Sequence, residues 1–127
     1  MDLLEQMALL NVLPKVVVMM MFLYLFLKAL DFLTGILKTI KNKNTYKSSK
    51  MREGILRWIT ELLAISFVLA FDMVLGLQFY LTGLTVALFC YKEAGSVMEN
   101  FNELGVELPG AVDEKIESLN PQKEEQK

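Results

Sequence analysis

Two long apolar stretches dominate the sequence. Residues 16–37 are almost wholly apolar, and a second apolar block extends over residues 56–91, where Asp72 and Gly76 interrupt it. Stretches of about 18 or more apolar residues are typical of membrane spans rather than of helices in a soluble core. The second block is too long for a single span, so we predict that it forms a helical hairpin. The pattern therefore predicts an all-α integral membrane protein with three transmembrane helices.

Polar segments separate and follow these spans. We predict a basic cytoplasmic loop and a short amphipathic C-terminal helix, which Pro109 can open because a helix needs no N–H donor at its first position. A rival interpretation merges the hairpin into one tilted or re-entrant segment. The predicted divisions are 1–15 (N-terminal amphipathic segment), 16–37 (transmembrane helix 1), 38–55 (basic cytoplasmic loop), 56–71 (transmembrane helix 2), 72–76 (turn), 77–104 (transmembrane helix 3 with a cytosolic extension) and 105–127 (acidic tail).

The net charge of −2 conceals a strong asymmetry along the chain. Residues 38–57 carry seven basic residues against one acidic residue, whereas residues 93–127 carry three lysines against nine acidic residues. Loops rich in Lys and Arg stay in the cytoplasm, so we expect the N-terminus outside and the C-terminus inside. The basic loop is expected to contact anionic lipids rather than nucleic acid. Its topology-determining residues are Lys38, Lys41, Lys43, Lys47, Lys50, Arg52 and Arg57.

Each predicted span carries one polar stripe. Ionisable residues inside a span are costly and therefore point to function. Lys28 and Asp31 lie three residues apart, where they can pair within one helix. The stripes either face one another in a three-helix bundle or line a water-filled lumen built by several copies, and the sequence leaves both open. The stripe residues are Lys28, Asp31, Glu61, Asp72, Gln78, Thr82, Thr85 and Glu93.

Small residues predict where helices approach closely. Gly35, Gly83, Ala87 and Ala94 are the predicted packing residues, because small side chains at helical spacing let two helices in a membrane come together.

The composition also limits the chemistry. The chain has one Cys and no His, so it lacks the raw material for disulfide frameworks, zinc sites and His-dependent catalysis. The sequence contains no phosphate-binding loop and no metal-ligand spacing. We therefore expect neither an enzyme nor a bound cofactor or metal.

Several short motifs resemble those of the toxin-secretion/phage-lysis holin family. They are Asp-Phe-Leu-Thr-Gly-Ile-Leu-Lys at 31–38, the lysine-rich loop that leads into 48–55, Lys-Glu-Ala-Gly-Ser-Val-Met-Glu-Asn at 92–100, and Leu-Gly-Val-Glu-Leu-Pro at 104–109. Their order and spacing carry the resemblance, which covers roughly residues 16–119.

The resemblance implies a bacteriophage holin. Such a protein oligomerises in the bacterial inner membrane and forms lesions that release a cell-wall hydrolase, or in some relatives a toxin, at a timed point. The implied partners are further copies of the chain, a functionally linked peptidoglycan hydrolase, and either an antiholin or a shorter product that starts at Met7. Two alternatives stay open: a small multi-span transporter or ion channel with Glu61 as its ion site, and a membrane scaffold or antiholin.

Overall fold

The computed structural model describes residues 14–42 and 48–122, and the regular structure within them is helical. Its helices are α1 (Lys15–Lys41), α2 (Ser48–Leu75), α3 (Tyr80–Glu103) and α4 (Gly110–Glu117). The third helix is central, since it packs against each of the other three, whereas α1 and α2 do not pack directly on one another. Contacts between α1 and α3 follow the same order along both helices, so these two run parallel and α2 runs antiparallel to them.

The first two helices have the length and apolarity of membrane spans. They contain 27 and 28 residues, roughly 40 Å each at a rise of 1.5 Å per residue. Only 11% of the most apolar stretch of either helix is buried, which is unlike the core helix of a soluble protein. The most exposed apolar side chains of the two helices are Val16, Met19, Phe22, Phe26, Ile40, Leu63, Phe67, Met73, Val74 and Leu75.

The third predicted span differs in character from the first two. Among the described residues, α3 is not one of the helices that are apolar enough to cross a membrane by length and composition. Its first half, Tyr80–Tyr91, is apolar, but its second half carries Lys92 and three glutamates. The structure therefore gives an all-helical protein with two helices that fit membrane spans.

Helix boundaries fall at different positions from those expected. The first helix continues beyond Leu37 to Lys41, and α2 already begins at Ser48, so both helices extend into the segment 38–55. The hairpin turn lies at residues 76–79 rather than at 72–76, because α2 continues through Asp72 to Leu75. The predicted segment 1–15 and the second start at Met7 fall almost wholly on residues outside the described ranges.

The hairpin turn depends on unusual backbone conformations. Gly76 ends α2 with a φ of 64°, and the amide of Leu77 donates back to the Asp72 carbonyl at 3.2 Å. Gln78 and Phe79 also have positive φ values, 55° and 65°, which cost energy for residues with a side chain. Interactions on both sides of the turn must therefore hold it.

Asp72 supplies that interaction. Its side chain is buried and caps the start of α3 from the preceding helix, accepting hydrogen bonds from the amide of Thr82 at 2.6 Å and of Leu81 at 3.3 Å. The Thr82 hydroxyl donates to the same carboxylate. The first amides of a helix lack partners within that helix and carry partial positive charge, so an anion satisfies both needs.

Side chains from three helices form the buried core. Tyr24 from α1, Ile65 from α2, and Val86 and Cys90 from α3 pack together, and the Cys90 thiol lies 3.5 Å from the Met20 carbonyl. This core sits between the turn and the middle of the helices.

The predicted packing residues do not all behave alike. A Cβ atom on Gly83 would meet Val17 of α1 at 3.8 Å, so Gly83 lies in the α1–α3 interface. Ala94 is buried and Ala87 is half-buried in the same helix. A Cβ atom on Gly35 would have nothing within 4 Å, so this glycine is not used for packing within the described part of the chain.

Removing the Asp72 carboxylate should weaken the hairpin. We expect Asp72→Ala to lower the free energy of unfolding by about 1–3 kcal/mol, because buried amides at the start of α3 lose their acceptor. Asp72→Asn keeps one acceptor oxygen and should cost less. Thermal unfolding in detergent, followed by circular dichroism, measures the effect, with the exposed neighbour substitution Met73→Ala as the control. Equal stability of wild type and Asp72→Ala would show that the cap does not hold the turn.

Candidate functional site

Three charged residues meet between the helices. Lys28 is the central residue of α1, Glu61 lies at the middle of α2, and Glu93 lies just past the midpoint of α3. The Lys28 ammonium is 3.0 Å from Glu61 Oε2 and 2.7 Å from Glu93 Oε1. Its side chain is 11% exposed and that of Glu93 is 10% exposed, so the charges are largely withdrawn from solvent. One cation thus joins all three long helices.

Tyr24 completes this group, which we call the central cluster (Tyr24, Lys28, Glu61 and Glu93). Its ring is almost wholly buried, and its hydroxyl donates to the Glu61 oxygen that also contacts Lys28. The Lys28 ammonium lies 6.0 Å from the centre of the Tyr24 ring, within reach of a cation–π interaction. Since α1 and α2 do not pack directly, the two side chains that reach Glu61 from α1 bridge the space between these helices.

A series of polar contacts joins α1 to α3, beginning at the central cluster and continuing toward the C-terminal ends of both helices. Lys28 pairs with Glu93, Ser96 donates to Asp31 at 2.7 Å, and Lys38 pairs with Glu103 at 3.1 Å. In each pair the two residues are 65 positions apart, so the contacts form a straight series between parallel helices. We call these three pairs the polar ladder.

Further hydrogen bonds join α1 and α3 between and beyond the pairs of the polar ladder. The Asn100 amide donates to Asp31 Oδ1 at 3.1 Å and to the Thr34 hydroxyl at 2.9 Å. At the end of the helices, the Lys41 ammonium donates to the backbone carbonyl of Glu103 at 2.8 Å. A cation is favourable there because the last carbonyls of a helix carry partial negative charge and lack helical partners.

The distribution of polar and apolar side chains is the reverse of that in a soluble helical protein. The charged and amide side chains lie between the helices, whereas large apolar side chains of α1 and α2 face outward. Hydrocarbon surroundings favour such an arrangement, since exposed apolar groups cost nothing in lipid and polar groups must find partners inside the protein. Within the described residues, no group of His, Cys, Asp and Glu side chains is arranged to hold a metal ion.

A family model for the bacteriophage holin family matches residues 8–121. The chain belongs to the bacteriophage holin family. The match covers most of the chain, including all four described helices. It agrees with the resemblance carried by the motifs of this sequence, and it places the protein in a membrane together with the two span-like helices.

Two curated relatives match the chain, and one of them is named as a holin. The chain is 32% identical over 106 residues to a probable holin of Bacillus phage phi105, covering 81% of this chain and 78% of the relative. It is 30% identical over 105 residues to the uncharacterized protein YqxH of Bacillus subtilis (strain 168), covering 83% of this chain and 74% of the relative. No solved structure matches the chain.

The structure separates the stripe residues of this holin-family chain into three groups. Lys28, Glu61 and Glu93 meet in the central cluster, and Asp31 lies in the polar ladder. Lys28 does not pair with Asp31 within α1, because two glutamates from other helices reach the ammonium and Asp31 instead faces Ser96. Asp72 and Thr82 bond to each other beside the turn.

The last two stripe residues are not joined to the others. Thr85 donates to the Leu81 carbonyl of its own helix at 2.8 Å, a common way for a hydroxyl to be satisfied in a span. Gln78 lies exposed in the turn. A lumen-lining role for the stripe stays a prediction.

The basic residues divide along the chain. Lys38 and Lys41 are engaged with the end of α3, whereas Lys50, Arg52 and Arg57 are exposed on α2. The two remaining basic residues, Lys43 and Lys47, lie outside the described ranges.

Sequence reasoning missed the α3 half of the polar ladder. Ser96, Asn100 and Glu103 follow Glu93 at spacings of three, four and three residues, which places all four on one face of a helix. The same spacing runs through Lys28, Asp31, Gly35 and Lys38 on α1. Two polar stripes of matching period were therefore visible, but not the register that pairs them.

Removing the cation of the central cluster should destabilise the bundle. Lys28→Met leaves Glu61 and Glu93 buried without a counter-ion, and losing one partner of a buried ion pair costs about 3–5 kcal/mol. We expect a large fall in the unfolding temperature in detergent, which differential scanning fluorimetry measures. Glu53→Gln, an exposed charge change on α2, is the control and should leave the temperature unchanged. A Lys28→Met protein as stable as wild type would show that the ion pairs do not hold the helices.

Proposed function

We propose that this chain is a holin that oligomerises in the bacterial cytoplasmic membrane and forms lesions there. At a timed point these lesions release a cell-wall hydrolase, or a toxin, from the cytoplasm. The observation that carries the proposal is the polar interior between helices whose outer surfaces are apolar. The wall of a water-filled lesion needs polar side chains. The charged and amide groups packed between these helices can supply them when the helices separate.

The proposed topology has three spans, with the N-terminus outside and the C-terminus inside. On one side of the central cluster, 16–27, 62–71 and 80–91 form an apolar layer common to all three long helices. Segments of ten to twelve helical residues extend roughly 15–18 Å, less than the roughly 30 Å hydrocarbon core. Such a mismatch is met by thinning of the bilayer or by association of copies, both of which suit a protein that perforates membranes.

The α1–α3 interface has more polar contacts than the α1–α2 interface. The polar ladder joins α1 to α3 along half of their length. Among the described residues, the polar contacts between α2 and α1 are those that Tyr24 and Lys28 make to Glu61. Residues 48–60 are all exposed, so the first half of α2 is not covered by any other described part of the chain. We infer that α2 is the helix that moves when copies assemble above a threshold concentration, and that its departure turns polar faces toward a shared lumen.

Contacts between copies need surfaces that the single chain does not use. A Cβ atom on Gly35 would meet no described residue within 4 Å, and Gly35 is the packing residue that we assign to a neighbouring copy. Gly83 lies against α1, Ala94 is buried and Ala87 is half-buried, so we infer that these three residues serve neighbours only after rearrangement. The exposed Lys50, Arg52 and Arg57 are positioned to contact anionic lipid headgroups on the cytoplasmic side.

Inducible expression in a bacterium tests the proposed function. A holin should let cells grow and then cause a sudden collapse of membrane potential, with escape of a co-expressed cytosolic hydrolase into the cell wall. Potential-sensitive dyes and culture density follow both events. Sustained growth without depolarisation contradicts the proposal. Resistance to cationic dyes would instead indicate a transporter, and protection from a second holin would indicate an antiholin.

Cysteine accessibility tests the three-span topology. In a Cys90→Ala background, Gln78→Cys should react with an impermeant maleimide added to intact cells, because the turn lies outside. Ser49→Cys and Ser118→Cys should react only after the membrane is opened, since both lie in the cytoplasm. Labelling of Ser118→Cys in intact cells would favour the two-span interpretation with the C-terminus outside.

A further inference from the structure

The central cluster and the first step of the polar ladder contain more carboxylates than cations. Asp31, Glu61 and Glu93 contribute three carboxylates. Asp31 and Glu93 belong to successive pairs of the polar ladder, Asp31–Ser96 and Lys28–Glu93, so their carboxylates are neighbours across the α1–α3 interface. Within the described residues, Lys28 is the one cation paired with this group. With all side chains ionised the group would carry a charge of −2 in a largely buried position, where uncompensated charge is costly.

One oxygen in this group lacks a hydrogen-bond partner. Glu93 is 8% exposed, and its Oε1 pairs with Lys28, but its Oε2 is buried without a donor. Buried polar atoms in proteins are satisfied in the great majority of cases, and an unsatisfied one points to a ligand, an ion or a proton. The neighbouring Asp31 carboxylate offers another acceptor rather than a donor. The hydrogen bonds that the Asp31 carboxylate receives from Ser96 and Asn100 both fall on its Oδ1.

We propose that the packed chain binds one proton between the carboxyl groups of Glu93 and Asp31. A shared proton gives Glu93 Oε2 its missing partner and lowers the excess negative charge by one. Two neighbouring buried carboxyl groups repel each other strongly when both are ionised, and one proton is retained between such groups.

The other groups around this position fit the assignment. From α1, Lys28 already divides its contacts between Glu93 and Glu61, so it cannot neutralise Asp31 as well. From α2, Glu61 is bonded to Lys28 and to the Tyr24 hydroxyl. On α3 itself, the Cys90 thiol is buried and is directed to the Met20 carbonyl. The Glu93–Asp31 pair is therefore where the proton is needed.

Infrared spectroscopy of the full-length protein in lipid vesicles tests the proton site. A protonated carboxyl group has its own carbonyl band, which shifts on exchange into heavy water. We expect this band at neutral pH in the wild type and its loss in Glu93→Gln and in Asp31→Asn. The matched control is Glu99→Gln, an exposed glutamate on the same helix, which should retain the band. Asp72→Asn should also retain it, because the other buried carboxylate already accepts three hydrogen bonds.

Two results would overturn the assignment. A folded wild-type protein without the band binds no proton at neutral pH. A band that survives in Glu93→Gln and Asp31→Asn, or that disappears in Asp72→Asn, belongs to another carboxyl group. The readout does not depend on lysis, so the proton site and the holin function stand or fall separately.

Labelling with dicyclohexylcarbodiimide gives an independent reading. This apolar reagent adds to protonated carboxyl groups within membranes, and peptide mass spectrometry locates the adduct. We expect the adduct on Glu93 or Asp31 and its loss as the pH is raised. An adduct confined to Glu61 would contradict the proposal. Protection by sodium ions would contradict it too, because the pair would then hold a metal cation.

Discussion

The ion pairs of Lys28 with Glu61 and Glu93 are the interaction on which the rest of the structure depends. A lone ammonium at the middle of a span-like helix would be costly, and so would either glutamate alone. Brought together at 3.0 and 2.7 Å, they compensate one another and fix the relative position of three helices. The contacts on either side of this meeting point set the helix directions: the α1–α3 series runs parallel, and the hairpin turn makes α2 antiparallel to α3.

The same need for polar partners explains why α1 is joined to α3 by more polar contacts than to α2. The polar ladder gives the α1–α3 interface several independent contacts, so the loss of one leaves the others in place. The polar contacts between α1 and α2 in the described part of the chain are fewer and all meet at one residue, since Glu61 receives both Tyr24 and Lys28. A membrane protein built in this way can remain packed as a single chain and still release one helix when neighbouring copies offer alternative partners. Membership in the bacteriophage holin family is consistent with that behaviour.

Much of the architecture could be predicted from local sequence pattern. The apolar runs predicted helical spans, and the polar side chains inside them pointed to the residues that meet at the centre, because ionisable groups in spans need partners. What the pattern could not supply was register. Nothing in the spacing of Lys28 and Asp31 shows that glutamates 33 and 65 residues further along the chain, Glu61 and Glu93, will take the lysine instead.

The turn shows a second limit of sequence reasoning. Asp72 and Gly76 interrupt the apolar block and so marked the turn, but a carboxylate that caps the following helix lies within the preceding one. The capping role depends on how α2 and α3 approach each other, which is a property of the folded hairpin. The family motifs supplied the functional class, because composition and spacing alone fit a transporter or a scaffold as well.

Distances between helices test the central claim most directly: α2 is held to α1 by the central cluster and leaves it when lesions form. Paired nitroxide labels at Phe26→Cys on α1 and Leu63→Cys on α2, in the Cys90→Ala protein, report that separation by pulsed electron resonance. A second pair at Leu33→Cys and Asn102→Cys reports on α1 and α3. In lesion-forming membranes, compared with dilute vesicles, we expect a longer α1–α2 distance and an unchanged α1–α3 distance. An unchanged α1–α2 distance in lesion-forming membranes would contradict it.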